Sequence, residues 1–432
     1  MPNTPALPPR HILSKSTFIR GCQCTKSLWL YKKHYKLRDQ PTALQERIFM
    51  QGTDVGMLAR QLFGKGVDAS PADVFHYREA VAATARYIAE GHSVIFEAAF
   101  QHEGVLCAVD ILLKHHDKWY VYEVKSSTSV KPQFVQDAAL QYNVITQAGL
   151  PLEDIFVVYI NTGYVRSGGL QLKELFAKLS VRQQAVAMQP LIATKGHELK
   201  LVATQNYMPA IATGTHCTTP YQCDFYGFCH HEIIAIQKIE LAANTALPPS
   251  QPVIEYTSAL PLSFLDVCSY RVAVPEFDGH WPYRHIPFQF GLLSLHEDGE
   301  TETFFVADNS SDPCMQMVES LSAIAKLKDI IWVSNLSFIT ARFTELQADY
   351  PTHAEALEQI KSRLKGINSP QIQRINKLVQ EENKTIDDAE EAAAVWYNMR
   401  LQNSPVPEPI HHALKQYADR RIAHLRVVIT GS

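Results

Sequence analysis

Glu123 and Lys125, in the segment VYEVKSS, are two positions apart and are residue types that hydrolytic metal sites use. On a β-strand such residues point to the same face, because the side-chain period of a strand is two. Asp110 lies in the segment before, and a two-residue turn at His116 and Asp117 would place it directly opposite Glu123. Opposed carboxylates repel each other unless a cation lies between them. The spacing therefore predicts a Mg²⁺ or Mn²⁺ site with hard oxygen ligands.

Further polar residues occur at positions that can reach the same site. Lys125 can position or deprotonate a water, or stabilise charge that develops on a phosphoryl oxygen. Glu97 ends the preceding strand and is a further candidate metal ligand, with a surface acid at a strand end as the alternative. Asp137 and Gln141 lie one helical turn apart on the next predicted helix. These residues favour metal-assisted phosphodiester hydrolysis over an ordinary exposed Glu–Lys pair on a strand edge.

The elements that must position these residues are visible in the pattern of the first half. Segments rich in β-branched and aromatic residues predict four strands, at SVIFEAAF, GVLCAVDILLKHH, KWYVYEVKSST and DIFVVYIN. PQFVQDAALQYNVITQAG, with Pro near its start and Gly at its end, predicts a crossover helix before the fourth strand. Earlier helices are predicted at PTALQERIFMQGTDVGMLARQLF and DVFHYREAVAATARYIAEG. A three-strand meander followed by one crossover is an α/β arrangement.

The order of Asp110, Glu123, Lys125 and Gln141 resembles the core pattern of the RecB-like branch of the PD-(D/E)xK nucleases. That pattern is an acid, then Asp, then E-x-K, then a helix with Gln. The resemblance implies a restriction-endonuclease-like α/β core. It also implies that Asp110, Glu123 and the main-chain carbonyl of Val124 hold the metal, with Gln141 beside the metal or the DNA.

The function expected from this resemblance is a metal-dependent deoxyribonuclease, acting as an exonuclease on single-stranded or end-containing DNA in repair or defence. DNA is then the main partner, and other repair or defence proteins are further expected partners. Gly56, in QGTDVGMLA, stands where many members of the family have a histidine that also binds metal. The alternative function is therefore a slow or silent nucleic-acid-binding or assembly subunit of a repair or defence complex.

Three cysteines, Cys217, Cys223 and Cys229, occur at equal spacing in CTTPYQCDFYGFC and indicate a metal site. CTKSLWLY resembles the N-terminal cysteine segment of the CRISPR-adaptation exonucleases and related RecB-like proteins. Those proteins bind a [4Fe-4S] cluster with one early and three late cysteines, so the resemblance favours Cys24 as fourth ligand, with Cys22 in reserve. The cluster would staple the two ends of the nuclease domain. A Cys₄ Zn²⁺ site is the alternative, which the spacing leaves open.

The net charge of −4, from 40 Lys and Arg against 44 Asp and Glu, hides a local basic arm. Residues 10–38 contain eight basic residues and no acid, with Phe18, Trp29, Tyr31 and Tyr35 between them. Such an arm can grip a single strand by phosphate contacts and base stacking. The candidate contacts are Lys26, Lys32 and Lys33. The alternative is a solvated helix face whose aromatic side chains pack inward.

The chain has 432 residues, 46% hydrophobic and 19% charged, which excludes full disorder and leaves room for two or three domains. No run approaches the roughly 18 apolar residues of a membrane span, and the start lacks a signal-peptide core, so we expect a cytoplasmic protein without membrane contact. The Pro-rich stretch NTALPPSQP predicts a linker at residues 246–252. It separates a first domain, residues 1–245, from a second, residues 253–432.

The stretch PYRHIPFQFGL and the sequence around it resemble the C-terminal half of an uncharacterised bacterial protein family. That family joins a RecB-like nuclease to an α/β ribonuclease-H-like domain of the DEDD exonuclease type, and the resemblance covers nearly the whole chain. A DEDD exonuclease needs several acids for two metals. Here Cys268 stands two positions after Asp266, where the D-x-E pattern of such exonucleases has Glu. Ile339 and Arg421 stand near positions where these exonucleases have further acids, although Asp419 is close to the last of them. The resemblance thus implies a degenerate domain that binds DNA or a partner.

Overall fold

The computed structural model describes residues 7–231, 260–308, 311–326, 328–367, 386, 388–401 and 406–430. Tertiary contacts divide the chain into two units, Met1–Pro41 with Ile48–Ala235, and Thr42–Arg47 with Ile236–Ser432. The predicted linker, 246–252, lies outside the described residues. Within the described ranges, no helix has both the length and the apolar character that crossing a bilayer requires.

The first unit contains a seven-stranded mixed sheet in the order β2-β3-β4-β5-β6-β7, with β1 beside β4. The strands are β1 Leu13–Ser14, β2 Val67–Asp68, β3 Val94–His102, β4 Val105–His115, β5 Lys118–Val124, β6 Leu152–Ile160 and β7 Phe176–Ser180. Strands β3, β4 and β5 form the predicted antiparallel meander, and β6 lies parallel to β5. The four predicted strands are confirmed.

The helices of the first unit cover the sheet and supply most of its remaining core. They are α1 Lys15–Gln23, α2 Thr25–Lys33, α3 Ala43–Arg60, α4 Tyr77–Ala89, α5 Pro132–Gln147, α6 Leu172–Leu175, α7 Arg182–Ala187 and α8 Gln189–Thr204, where the residues of α3 up to Arg47 are assigned to the second unit. Helix α5 is the predicted crossover. It begins with Pro, whose fixed φ suits the first helical turn, and it buries residues such as Ala138 and Leu140 in the core.

The β4–β5 hairpin has the register that the sequence predicts. Its pairs run from His115 opposite Lys118 to Ile111 opposite Tyr122. The two turn residues, His116 and Asp117, have positive φ values of 45° and 61°, as a two-residue hairpin turn with the right-handed twist of the strands requires. Asp110 and Glu123 are the next opposed positions beyond the last regular pair.

The second unit contains a five-stranded mixed sheet in the order β10-β9-β8-β11-β12. Its strands are β8 Leu262–Tyr270, β9 Ile286–His296, β10 Gly299–Val306, β11 Ile330–Val333 and β12 Leu364–Gly366. Strand β9 is antiparallel to β8 and β10, whereas β11 is parallel to β8 and β12. The described helices are α9 Pro313–Ile324, α10 Leu336–Asp349, α11 Ala354–Lys361, α12 Ala389–Leu401 and α13 Glu408–Thr430. Both units are therefore of the mixed α/β class.

Candidate active site and cysteine cluster

The end of the β4–β5 hairpin carries the two predicted carboxylates. The Oδ2 atom of Asp110 accepts a hydrogen bond of 2.6 Å from the main-chain N–H of Val124. Glu123 is 2% exposed, so its carboxylate is buried and must find its partners within the protein. The structure thus brings together the residues that the spacing predicts, although Asp110 contacts the strand through the main chain.

Three side chains satisfy the Glu123 carboxylate. Lys15 and Lys125 both lie at Oε1, with Nζ at 2.7 Å and 2.9 Å respectively. Gln141 donates from Nε2 to Oε2 at 2.5 Å, and the same nitrogen is 3.1 Å from the carbonyl oxygen of Ala108. The amide of Gln141 therefore bridges β4 and β5 and lies beside Glu123. Its role beside a metal or DNA stays a prediction.

Two members of the site go beyond the residues that the family pattern names. Asp137 lies one helical turn before Gln141 on α5, and its Oδ2 accepts a hydrogen bond of 2.6 Å from Nζ of Lys125. Its spacing of four residues from Gln141 is what indicates this position in the sequence. Lys15 belongs by sequence to the basic arm. It follows β1, which pairs in parallel with the start of β4, and its neighbours Leu13 and Phe18 are fully buried at 0% exposure. This anchoring holds Lys15 against Glu123.

The carboxylates and lysines shift each other's pKa values in opposite directions. Burial raises the pKa of Asp110, and the charge of Glu123 raises it further, to about 7. Burial also acts to raise the pKa of Glu123, but Lys125 and Lys15 outweigh it and lower that pKa to about 2. For both lysines burial acts to lower the pKa, and the carboxylates, above all Glu123, raise it instead. The site therefore holds one firmly ionised and one readily protonated carboxyl.

Glu97 lies close enough to this pair to affect it, but it has its own cation. Its Oε1 is 2.8 Å from Nη2 of Arg60, whose Nη1 is 2.7 Å from Asp68. Burial raises the pKa of Glu97, against the opposing effect of Arg60. Its backbone has a φ of 50°, which is uncommon for a residue other than glycine. The role of Glu97 as a metal ligand stays a prediction, and Arg60 has no signal in the sequence.

Helix α3 passes beside the segment that follows β5. A Cβ atom built on Gly52 would lie 4.0 Å from Oγ of Ser126, whereas one built on Gly56 would meet nothing within 4 Å. Gly52 and Gly56 are four residues apart and so lie on one face of the helix. Gly56 contributes no ligand, and the space next to it would accept a larger side chain.

The four predicted cluster cysteines, Cys24, Cys217, Cys223 and Cys229, line one cavity. Burial is the main cause of the raised pKa of Cys229, and the other three thiols raise it further. Cys24 lies at the junction of α1 and α2, where it ends one helix and begins the next. Cys22 does not line this cavity. The structure thus brings Cys24, and not the reserve candidate, to the three later cysteines.

The structure distinguishes between the two alternatives for the basic arm at two of its aromatic residues. Phe18 and Trp29 are 0% and 8% exposed, and Trp29 donates from Nε1 to the carbonyl oxygen of Gln205 at 3.1 Å. Buried rings cannot stack on bases, so for these two residues the inward-packing alternative holds. Tyr35 remains 49% exposed. Among the predicted contacts, Lys26 lies beside the cysteine cavity.

In the second unit, Asp266 is paired with the residue at the position of an expected acid. Nε of Arg421 lies 3.0 Å from Oδ1 of Asp266, and its Nη2 is 3.1 Å from Oγ of Ser334. Asp266 is 5% exposed, and its charge is the main cause of the raised pKa of Arg421. Cys268 is fully enclosed at 1% exposure, as expected for a core thiol. Asp419 lies 2.9 Å from Lys415 instead of joining Asp266.

Part of the chain is similar to a known family of domains. A family model described as a domain of unknown function (DUF2779) matches residues 263–388. These residues lie within the second unit and include β8 from its second residue onward and all of β9 to β12. No curated protein matches the chain.

Proposed function

We propose that the first unit is a metal-dependent nuclease of the PD-(D/E)xK type that hydrolyses phosphodiester bonds in DNA. The observation that carries this proposal is the convergence on Glu123 of Lys125 from its own strand and Gln141 from the following helix, one strand from Asp110. The meander, the parallel β6 and the crossover α5 are the elements that such a core uses to place these groups.

The donor set fits a hard divalent cation. Asp110, Glu123 and the carbonyl oxygen of Val124 would hold Mg²⁺ or Mn²⁺, with Glu97 as a further carboxylate. The metal, when bound, would polarise the phosphate and activate a water. Burial raises the pKa of Asp110, and the charge of Glu123 raises it further, so the ionised form of Asp110 is disfavoured in the metal-free protein. A dication would stabilise the ionised carboxylates.

Lys125 acts in this proposal as a fixed positive charge. Its pKa is raised by Glu123 and Asp137, so it keeps its proton and is a poor base towards water. A held ammonium can orient a water by hydrogen bonding and stabilise the charge that develops on a phosphoryl oxygen. Asp137 would position Lys125, and Gln141 would hold the Glu123 carboxylate in place.

The cysteines are proposed to bind a [4Fe-4S] cluster that joins Cys24, near the start of the unit, to the segment after α8. A Zn²⁺ ion bound by the same four thiolates is the alternative. The resemblance of CTKSLWLY to the cysteine segment of the CRISPR-adaptation exonucleases favours the iron-sulfur cluster.

The second unit is proposed to be a ribonuclease-H-like domain without its metal chemistry. Numbered from its own first strand, its sheet has the order 3-2-1-4-5, with only the second strand antiparallel to the others, which supports that fold. The guanidinium of Arg421 already neutralises Asp266, where such a domain would bind a cation. The unit would then bind DNA or a partner.

The second candidate function is a nucleic-acid-binding or assembly subunit with a silent nuclease site. The observation that favours it is Gly56, which supplies no ligand where many relatives of this nuclease type have histidine. DNA cleavage in the presence of Mn²⁺ separates the two candidates. Linear and circular single-stranded DNA and linear duplex serve as substrates, so that a requirement for ends is measured at the same time.

The assay compares the wild type with Asp110→Asn, Lys125→Met and the control Asp117→Asn. The control makes the same change as Asp110→Asn in the same hairpin, at a side chain that is 94% exposed. We expect cleavage by the wild type and the control, and a loss of about a hundredfold or more in the two site variants. Equal cleavage by all four proteins would overturn the assignment. DNA binding without cleavage by any of them would establish the silent alternative.

A further inference from the structure

The second unit contains a separate group of side chains that could bind a metal. A ring nitrogen of His280, a carboxylate oxygen of Asp312 and Sγ of Cys314 all lie within 4.8 Å of one another. His280 and Cys314 are buried, at 2% and 0% exposure, and the Asp312 side chain is 21% exposed. Nitrogen, oxygen and sulfur donors thus meet at the edge of the core, with access from the side of Asp312.

His280 lacks a partner that a buried histidine needs. Its Nδ1 is buried and has no hydrogen-bond partner among the described residues, and its Nε2 is 3.7 Å from Oδ2 of Asp312. A buried polar atom without a hydrogen-bond partner is destabilising, so a buried nitrogen of this kind is uncommon in a native protein. A metal ion bound at Nε2, the nitrogen that faces Asp312, would give the ring a partner and would leave Nδ1 to carry the ring proton.

Asp312 is held in place from both sides. Its Oδ1 accepts a hydrogen bond of 2.9 Å from the main-chain N–H of Cys314 and so caps helix α9. Its Oδ2 accepts a hydrogen bond of 2.7 Å from the hydroxyl of Tyr350. Hydrogen bonds of this kind orient a carboxylate ligand and are typical of the groups around a metal site. The helix cap accounts for one oxygen of Asp312, and the other faces His280.

The local charges also suit a dication. Arg284 is the nearby buried cation, and it is already paired with Asp349. The remaining negative charges would be those of Asp312 and of Cys314 once its thiol has lost its proton. A doubly charged ion would neutralise both, and one proton would leave Cys314 for solvent as the metal binds.

His280 lies in an unusually long connection. Tyr270 and Ile286 form the last pair of the β8–β9 hairpin before its loop, so the loop consists of residues 271–285. Hairpin loops mostly have about 2–5 residues, and longer ordered loops are commonly functional. Part of this loop is buried in the core, where Val272 and Ala273 are 5% and 1% exposed. A metal ion would fasten it to the first turn of α9.

We propose that His280, Asp312 and Cys314 bind one Zn²⁺ ion that joins the β8–β9 loop to helix α9. Zn²⁺ accepts thiolate, imidazole and carboxylate together, whereas Mg²⁺ and Mn²⁺ prefer oxygen alone. A water would complete the four ligands. A nucleophilic role for Cys314 with His280 is rejected because the thiol is fully buried and cannot reach a substrate.

The test measures bound zinc in the full chain after loading with Zn²⁺ and removal of excess. The proteins are the wild type, Cys314→Ser, His280→Gln and the control Cys268→Ser, which makes the same change at another fully buried cysteine of this unit. We expect each site variant to hold about one zinc less per chain than the wild type and the control. Any zinc in the cysteine cavity of the first unit is common to all four.

Hydrogen exchange of the loop gives a second readout. Zn²⁺ should slow exchange in residues 271–285 of the wild type and Cys268→Ser, and should have no effect in Cys314→Ser or His280→Gln. Should Cys314→Ser fail to fold, His280→Gln decides, since it retains the buried thiol. Equal zinc content in all folded proteins would overturn the proposal, as would rapid alkylation of Cys314 in the zinc-loaded wild type.

Discussion

The two carboxylates of the proposed active site should have opposite effects on the stability of the metal-free protein. Asp110 has its pKa raised from 3.8 to about 7 and Glu123 has its pKa lowered from 4.5 to about 2. A pKa difference between the unfolded and folded states contributes to the folding free energy, by about 1.36 kcal/mol for each tenfold change in the acid dissociation constant. Removing one charge should stabilise the first unit, and removing the other should destabilise it.

Asp110→Asn removes the negative charge but keeps a side-chain oxygen that can accept the hydrogen bond from the main-chain N–H of Val124. The folded protein binds a proton at Asp110 that the unfolded chain has lost, so the wild type loses stability as pH rises from about 4 to about 7. The whole pKa difference corresponds to at most about 4 kcal/mol, and partial access of solvent reduces this to roughly 2 kcal/mol. The variant should therefore match the wild type near pH 4 and exceed it by about 2 kcal/mol at pH 8.

Glu123→Gln should show the reverse. An ionised Glu123 stabilises the fold above its unfolded pKa of 4.5, and this stability is lost as pH falls towards 2. The variant should be less stable than the wild type at pH 5 to 8, by roughly 3 kcal/mol, because Lys15 and Lys125 would be left without their common partner. Both variants should nevertheless lose cleavage activity, which separates the catalytic loss from any loss of fold.

Native-state hydrogen exchange of the β4 and β5 amides, in EDTA and corrected for the intrinsic effect of pH, reports the stability of this region. Asp117→Asn is again the control and should change nothing. Mg²⁺ should slow exchange in the wild type by mass action and have little effect in Asp110→Asn. Faster exchange in Asp110→Asn than in the wild type at pH 8 without metal would refute the reasoning, and so would a difference that is constant from pH 4.5 to 8.

Three further predictions concern the cluster, the second unit and metal affinity. Anaerobically purified Cys24→Ser should lose iron and its brown colour, whereas Cys22→Ser should retain both; equal iron in the two would contradict the ligand assignment. Arg421→Ala should lower the free energy of unfolding by about 3–5 kcal/mol, because Asp266 stays buried without its cation. Adding Asp266→Ala should recover most of this loss, and urea unfolding monitored by hydrogen exchange of the β8 amides measures both changes. Mg²⁺ affinity should fall about tenfold per pH unit below the Asp110 pKa of about 7, and a flat profile by calorimetry between pH 5.5 and 7 would exclude Asp110 as a ligand.

The hairpin could be predicted from the sequence because every determinant of its register is local. Strand pattern, strand length and the turn at His116 and Asp117 agree, and together they fix which residues face each other. The residues themselves predicted only a helix after E-x-K that carries Asp137 and Gln141 one turn apart, and the place of Gln141 beside the metal or the DNA came from the family resemblance. The assignment of Cys24 over Cys22 required a resemblance, because the two thiols are only two positions apart.

Lys15 and Arg60 could not be predicted, because long-range contacts place them. Lys15 reaches Glu123 through the short pairing of β1 with β4, and a two-residue strand leaves no periodic signal. Arg60 meets Glu97 across the β2–β3 pairing, from the end of a helix. For the aromatic residues of the basic arm, the sequence left base stacking and inward packing open for a different reason. A ring between cations serves equally well as a core anchor, and only packing shows that Trp29 is buried.

The two units treat a buried acid in contrasting ways. In the second unit the guanidinium of Arg421 neutralises Asp266. Because an arginine side chain does not lose its proton, no negative charge remains there for a metal ion to neutralise. In the first unit both lysines lie at the same oxygen of Glu123, and Asp110 accepts its bond from the main-chain N–H of Val124. Burial, and then the charge of Glu123, raise the pKa of Asp110, so this carboxyl is ionised only at a cost in stability. We therefore expect a dication to stabilise the site at Asp110 and Glu123, and to have no such effect at Asp266, where Arg421 already supplies the positive charge.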